Sequence, residues 1–165
     1  MEELLDSEES SDLTEARIRL ASAFLEMGEM DRARDHAMKA HDETAQNNQE
    51  KLHARSRAVL GRYYARIKDN DLAMHHYSGA LEILSDQSDP RSAVEVEMLL
   101  GQVLSDAGSS DEAAQHYLDA LSIAEANDFR MMQGEILSRL GEVESNRSQR
   151  MDYLQSCLLY TSPSP

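Results

Sequence analysis

The sequence predicts an all-α protein: a right-handed superhelical solenoid of antiparallel helix pairs with about eight helices. Three observations support this fold class. Breakers are rare, with seven Gly and three Pro in 165 residues. Small residues follow leucine at a constant step of 40, at Ala21, Gly61, Gly101 and Gly141. Alanines repeat at the same step in two further registers, namely Ala33, Ala73 and Ala113, and Ala40, Ala80 and Ala120. A period of 20–50 residues indicates a repeat array.

The composition narrows the function classes. Acidic residues outnumber basic ones by 31 to 16, which gives a net charge of −15 and argues against a nucleic-acid partner. No apolar run approaches a membrane span, and no charged-then-apolar leader follows Met1. The single cysteine, Cys157, excludes an internal disulfide framework. We therefore expect a cytoplasmic protein that is not inserted into a membrane.

The first repeat is predicted over residues 13–47, after an acidic lead-in at 1–12 that we expect to be disordered. An acidic docking tail is the alternative for that segment. Asp12 is placed to cap the first helix, and Glu15 completes a capping box. Gly28 suits the left-handed turn that ends this helix. The predicted inner face of the first helix holds Leu13, Ala16, Leu20, Ala21 and Phe24, and the stripe of the second helix, from about Met30, holds Ala33, Ala37 and Ala40.

Three further repeats follow, at 48–87, 88–126 and 127–156, the last of them incomplete. Asp69 to Asp71 form the turn and cap within the second repeat. The third opens with Asp89-Pro90, a capping residue followed by proline at the first helical position. Gly108 ends its first helix, and Ser109 with Glu112 predicts another capping box. The second helix of the fourth repeat is predicted to be short, near 149–156.

Within each repeat, Gly or Ala in the first helix lets the second helix approach closely, and an aromatic ring fills the space between them. One helix pair cannot cover its own apolar face, so neighbouring pairs must stack. These positions resemble the tetratricopeptide repeat over roughly residues 13–156. The residues that carry the resemblance are Leu60, Gly61, Tyr64, Ala73, Tyr77 and Ala80 in the second repeat, Leu100, Gly101, Ala113, Tyr117 and Ala120 in the third, and Leu140 and Gly141 in the fourth.

The period of 40 is longer than the usual ~34 residues of that repeat, and is similar to that of the Pins/LGN polarity adaptors and rapsyn. The resemblance implies a non-enzymatic adaptor or scaffold that binds a partner peptide in a concave groove lined by the first helices. It implies no cofactor. The groove positions that it places are Ser22, Leu25, Arg55, Arg62, Arg66, Met98 and Gln102.

Three of these positions form the one dense basic stripe of an acidic chain. Arg55, Arg62 and Arg66 are spaced by 7 and 4, so they share one helix face. Two hypotheses account for the stripe. It clamps carboxylates of an acidic peptide, or it pairs with acidic residues of flanking helices. The candidate acids are Glu26, Glu95 and Asp106.

No catalytic or cofactor motif accompanies the repeats, which predicts a non-enzyme. Two alternatives remain open: the regulatory or sensor arm of a larger signalling enzyme whose catalytic domain follows residue 156, and an oligomeriser that uses the second-helix faces. Histidines recur at step 40, at His36, His76 and His116. Because successive repeats are about 10 Å apart and one metal needs its ligands at about 2 Å, we predict a structural role and no metal.

The last nine residues, CLLYTSPSP at 157–165, abandon the repeat pattern. They match one reading frame of a transposon end that is used in sequencing libraries. We interpret them as a non-native tail, and we expect the natural chain to continue past residue 156.

Overall fold

The computed structural model describes residues 2–46, 49–84, 89–145 and 147–161. All regular structure in these ranges is helical, as predicted for an all-α repeat protein. None of the described helices combines the length and the apolar character that crossing a bilayer requires. The eight helices are α1 (Glu2–Met27), α2 (Met30–Gln46), α3 (Glu50–Arg66), α4 (Asn70–Leu84), α5 (Pro90–Asp106), α6 (Ser110–Ala126), α7 (Arg130–Val143) and α8 (Arg147–Thr161).

The chain divides into an N-terminal half, Met1–Leu84, and a C-terminal half, Ser85–Pro165. In the N-terminal half, α1 packs on α2 and α3 packs on α4, with α3 also against α1 and α2. Gly28, with a φ of +76°, makes the turn from α1 to α2. The Asp69 carboxylate accepts a hydrogen bond from the Leu72 amide at 3.2 Å and caps α4, as predicted.

Helix α1 begins at Glu2 instead of near Leu13, so the described helix includes most of the segment that the sequence predicts as a disordered lead-in. Asp12 lies inside the helix and is not its N-cap. No Gly or Pro interrupts residues 2–27, and an acidic first turn is favourable at the positive end of the helix dipole. The sequence therefore allows the helix to extend upstream of its apolar pattern.

The buried face of α1 also differs from the prediction. Leu13 and Leu20 are 54% and 44% exposed, and Ala16 is exposed as well, whereas Thr14 is buried. The Thr14 hydroxyl donates a 2.9 Å hydrogen bond to the Glu43 carboxylate, so a polar residue is satisfied in the core. The core cluster of this half contains Ile18, Ala21, Phe24, Leu25, Ala33, Ala37, Ala40, Val59, Leu60 and Tyr63.

In the C-terminal half, α5 packs on α6, α6 on α7, and α7 on α8. The Asp89 carboxylate accepts from the Ser92 amide at 3.1 Å, with Pro90 at the first helical position, as predicted. Gly108, with a φ of +87°, makes the turn after α5. Ser109 stands at the N-cap of α6 without a side-chain cap bond, so the capping box predicted with Glu112 does not form.

Helix α8 is longer than the predicted 149–156 and runs from Arg147 to Thr161. Residues 157–161 of the predicted non-native tail are therefore helical, and 162–165 lie outside the described residues. The run SQRMDYLQSCLLYT contains no Gly or Pro, which explains why the helix continues.

The glycines of the repeat pattern allow close approach of the paired helix. A Cβ atom added to Gly101 would lie 2.7 Å from Cε1 of Tyr117, and Gly61 meets Tyr77 in the same way. Both tyrosines are 1% exposed. At Gly141 the neighbour is Leu154, with its Cδ2 atom 2.8 Å from such a Cβ. Each contact packs a large side chain of the second helix onto bare backbone of the first.

Candidate functional site

The candidate site is the arginine row of α3, formed by Arg55, Arg62 and Arg66. Helix α3 lies against α1, so the two helices present neighbouring faces within the N-terminal half. The three side chains keep 37%, 33% and 50% of their surface exposed. The row is therefore anchored on the helix and open to solvent.

Acidic side chains of α1 pair with every member of the row. Arg55 Nη1 lies 3.2 Å from Glu15 Oε1. Arg62 donates a hydrogen bond to the Glu26 carboxylate, and Arg66 Nη2 lies 3.5 Å from the second oxygen of Glu26. The pairing hypothesis is thus confirmed for Glu26, and Glu15 joins it.

The other two predicted acids, Glu95 and Asp106, belong to the C-terminal half. Within that half, Arg91 Nε lies 3.4 Å from Glu95. Gln102 donates from its amide to Asp106 at 2.8 Å. Each of these carboxylates thus has a neighbour on its own helix.

The arginines also set the charge state of the α1 acids. Hydrogen bonds from Arg19 and then from Arg55 hold the pKa of Glu15 below its usual value. Glu15 is consequently a carboxylate at neutral pH and occupies Arg55 as an anion. A second anion at the Nη1 atom of Arg55 would compete with Glu15.

The energetic consequence follows from the exposure of these pairs. Ion pairs between exposed side chains contribute roughly 0–1 kcal/mol each, because water screens them and because two long side chains must be ordered. Glu26 is itself 61% exposed. Carboxylates of a partner can therefore replace the α1 acids at little cost, and an arginine fork can take a carboxylate through two N–H groups.

Two of the predicted groove residues are buried in the structure. Leu25 is 0% exposed and Met98 is 8% exposed, so both are core residues that present no contact surface. The resemblance could place them on a first helix, but it could not show how far the neighbouring helix covers them. Ser22 and Gln102 are half-buried and remain available in part.

Within the C-terminal half, Arg139 of α7 contacts the predicted groove residue Gln102, a contact that the sequence reasoning missed. It donates a hydrogen bond to the Gln102 side-chain oxygen, and its Nη2 atom lies 3.3 Å from Glu135 Oε1.

A second missed feature is a ring cluster where α2, α3 and α4 meet, formed by His41, His53, Tyr64 and His76. The His41 and His53 rings stack at 4.7 Å, and Tyr64 stacks on His76 at 5.2 Å. Burial, followed by the charge of Arg57, lowers the pKa of His76 to about 4. Burial also lowers the pKa values of His41 and His53. The three histidines of the cluster are therefore mainly neutral at pH 7.

Comparisons with known proteins agree with the repeat interpretation. A family model for the tetratricopeptide repeat matches residues 98–127, which lie in the third and fourth predicted repeats. No curated protein sequence matches the chain. The family match and the structural similarities below support a tetratricopeptide-type repeat protein.

Solved structures share the fold at low sequence identity. The chain is similar to BtubC (BKLC) from P. vanneervenii, with a TM-score of 0.83 and 18% identity over 94% of this chain and 68% of that one. It is similar to aspartyl phosphate phosphatase F from Bacillus subtilis, with a TM-score of 0.85 and 10% identity over 91% and 40%. It is also similar to the Rap conjugation gene regulator of plasmid pLS20 in complex with the Phr* peptide, with a TM-score of 0.71 and 18% identity over 87% and 41%. The chain spans about two fifths of the last two proteins.

Proposed function

We propose that this chain is a non-enzymatic, cytoplasmic adaptor that holds an acidic segment of a partner polypeptide on the face shared by α1 and α3. The observation that carries the proposal is the arginine row, which is half-exposed and paired with the carboxylates of Glu15 and Glu26, with one further bond of 3.3 Å from Arg66 to the Leu25 carbonyl. In a protein with a net charge of −15, such a row is the surface that an anionic peptide would favour.

The repeat fold supports a polypeptide ligand. The Rap regulator, whose fold is similar, is described in complex with a peptide. The period of 40 resembles that of the Pins/LGN adaptors and rapsyn, which would make this chain a long-repeat member of the same type. Extended solenoid faces accommodate peptides because successive repeats present equivalent side chains along one surface.

Binding would proceed by exchange of carboxylates. Glu15 and Glu26 hold the guanidinium groups in place until carboxylates of the partner replace them. The released carboxylates of Glu15 and Glu26 become hydrated. Their hydration offsets part of the free energy lost when their ion pairs with the arginines break. Salt would weaken the complex, since the contacts are between exposed charges.

The test compares two triple charge reversals in the full chain. The first, R55E/R62E/R66E, removes the row. The second, R34E/R91E/R130E, makes the same change in net charge at exposed arginines elsewhere. The probe is a fluorescent dodecapeptide of Asp, Glu and Leu, with an Asn/Gln/Leu version as its uncharged counterpart.

We expect the acidic peptide to bind the wild type and the control variant alike, and to bind the row variant at least about tenfold more weakly, which corresponds to ~1.4 kcal/mol. Equal weakening by both variants would assign the effect to net charge and would contradict the proposal. Equal binding of the uncharged peptide would also contradict it.

A second candidate is the regulatory arm of a larger signalling enzyme. The observation that favours it is the similarity to a signal transduction ATPase of Pyrococcus horikoshii with a tetratricopeptide repeat sensor, at a TM-score of 0.78 and 18% identity over 89% of this chain and 23% of that one. Sequencing the full transcript past residue 156 distinguishes the two. An open reading frame with a catalytic domain supports the arm, and a stop or further repeats support the adaptor.

The same sequencing tests the proposed non-native tail. Leu158 and Leu159 are 64% and 75% exposed on α8, as expected of apolar residues that were not selected for this fold. A genomic sequence that encodes CLLYTSPSP in frame would refute this interpretation, and one that departs at Cys157 would support it.

A further inference from the structure

A second cluster of charged side chains lies in the C-terminal half, away from the arginine row in sequence. Glu97 projects from α5, and His116 and Asp119 project from α6 one turn apart. The Nδ1 atom of His116 lies 2.7 Å from Oε2 of Glu97. One donor atom from each of the three residues lies within 4.8 Å of the other two.

We propose that Glu97, His116 and Asp119 form a site for one divalent transition-metal ion of the zinc class. One imidazole nitrogen and two carboxylate oxygens are ligands that Zn²⁺ accepts, and water would fill the remaining positions. An all-oxygen cation such as Mg²⁺ or Ca²⁺ would gain little from the imidazole.

The geometry requires only a small adjustment. With metal–ligand bonds of about 2.0–2.2 Å, donors on one ion stand roughly 3–3.5 Å apart. The pair of His116 and Glu97 is already near that separation. Asp119 is exposed, and its carboxylate accepts a 3.0 Å bond from the exposed amide of Gln115, so it can rotate toward the ion at low cost.

The electrostatic field at the site favours a cation. Glu97, Asp119 and Glu112 all act on the imidazole as negative charges, and the Glu97 hydrogen bond raises the pKa of His116. A dication would replace the proton that this field attracts. Its binding would neutralise acids that lie close together in an already acidic protein.

The other repeats carry a natural control at the equivalent positions. Steps of 40 place Arg57, His76 and Gly79 in the second repeat, and Arg17, His36 and Lys39 in the first. The Arg57 guanidinium packs where a side chain at Gly79 would stand, and its charge helps to lower the pKa of His76. Among the repeats that the structure describes, only the third has acidic residues at both positions that flank the repeated histidine. Unlike His36, His76 and His116, which belong to three different repeats, the three side chains of the proposed site lie within one repeat.

The experiment is calorimetric titration of the full chain with ZnCl₂ in a buffer that does not chelate, on a C157S background so that the thiol contributes nothing. We expect one equivalent of zinc to bind. H116A should abolish that binding, and E97Q and D119N should each weaken it about tenfold or more. H76A, which removes the equivalent histidine of the second repeat, should leave it unchanged. Cobalt added instead of zinc should give visible absorption that H116A removes.

Binding that survives both E97Q and D119N would overturn the site, as would equal weakening by H76A. A preference for Mg²⁺ over zinc would overturn the assignment to the zinc class. If circular dichroism showed that H116A does not fold, zinc binding by D119N would still test the site, because Asp119 is exposed and its substitution should not disturb the fold. The R55E/R62E/R66E variant should bind zinc like the wild type, so the zinc site and the peptide-binding face are tested independently.

Discussion

At the scale of single residues, the size of the residue after the repeated leucine matches the size of its partner on the second helix. Gly61 faces Tyr77 and Gly101 faces Tyr117. The first repeat has Ala21 at the first position and Ala37 at the second, and both are 0% exposed. A small partner such as Ala37 thus permits a methyl group at Ala21, whereas a tyrosine partner requires glycine.

This match predicts the effect of Gly101→Ala. Alanine would gain up to ~1 kcal/mol of helix propensity, but its Cβ would stand 2.7 Å from a buried ring, and overpacking of that kind costs about 1–3 kcal/mol. We expect a net loss of stability in urea denaturation. Gly101→Ala on a Tyr117→Ala background, which imitates the first repeat, should instead be stabilising. Equal effects in the two backgrounds would contradict the match.

At the scale of the helix, two N-caps that look alike in sequence differ in the structure. Asp89 accepts a hydrogen bond from the Ser92 amide, whereas the Ser109 side chain makes no cap bond. The capping pattern was readable in both places. The outcome depends on backbone angles and rotamers, which the pattern does not contain.

We therefore expect Asp89→Ala to lower the free energy of unfolding by about 1 kcal/mol. Ser109→Ala should change it by a few tenths at most, because no cap bond is lost. Denaturant titrations of the two variants beside the wild type provide the measurement. A loss at Ser109 as large as that at Asp89 would be inconsistent with the described caps.

The ring cluster between α2, α3 and α4 predicts a dependence of stability on pH. His76 has a pKa of about 4 in the folded chain and about 6.5 when unfolded. The unfolded state therefore binds more protons below pH 6.5. The free energy of unfolding is therefore unaffected by His76 above that pH, and it declines as the pH falls from about 6.5 toward 4 because the buried ring must be protonated.

Urea denaturation at pH 7.5 and pH 5 should show a loss of stability in the wild type. The loss should be smaller in His76→Gln, which has no titrating ring. Because His76 is only half-buried, the difference in slope between the wild type and His76→Gln should fall short of the ~1.4 kcal/mol per pH unit of one fully linked proton. An identical pH dependence in both proteins would show that His76 is not the origin.

At the scale of the whole molecule, the acidic excess dominates long-range electrostatics. A net charge of −15 makes the folded chain repel itself. Added salt screens this repulsion, and it also weakens exposed ion pairs that contribute little. We expect the Tm to rise between about 20 mM and about 0.5 M NaCl in differential scanning calorimetry. A fall in Tm would mean that local ion pairs outweigh the net repulsion.

The repeat step of 40 was sufficient to predict the all-α fold, the helix pairs and most turns, because small residues, caps and glycines recur in phase. It failed on α1. Thr14 is buried through its bond to Glu43, and a count of apolar residues cannot detect two polar groups that satisfy each other. Leu20 is exposed although its equivalent Leu60 is 2% exposed. Leu60 packs in the core cluster with residues of α1 and α2.

The candidate site was predictable in part for the same reason. Spacing alone placed Arg55, Arg62 and Arg66 on one face of a helix. Glu15 and Glu26 precede Arg55 and Arg66 by one repeat step of 40, which places them at the equivalent positions of the first repeat. The burial of Leu25 and Met98, and the trio around His116, depend on how neighbouring helices approach. That information is tertiary and is not contained in a helical pattern.

The measurement that tests the central claim most directly is the affinity of the full chain carrying E15Q/E26Q for the acidic dodecapeptide. Those two carboxylates are the occupants that a partner must displace, so their neutralisation should tighten binding by about two- to fivefold. The control E50Q/E125Q, which makes the same charge change at exposed acids elsewhere, should tighten it less. Unchanged or weaker binding by E15Q/E26Q would contradict the account.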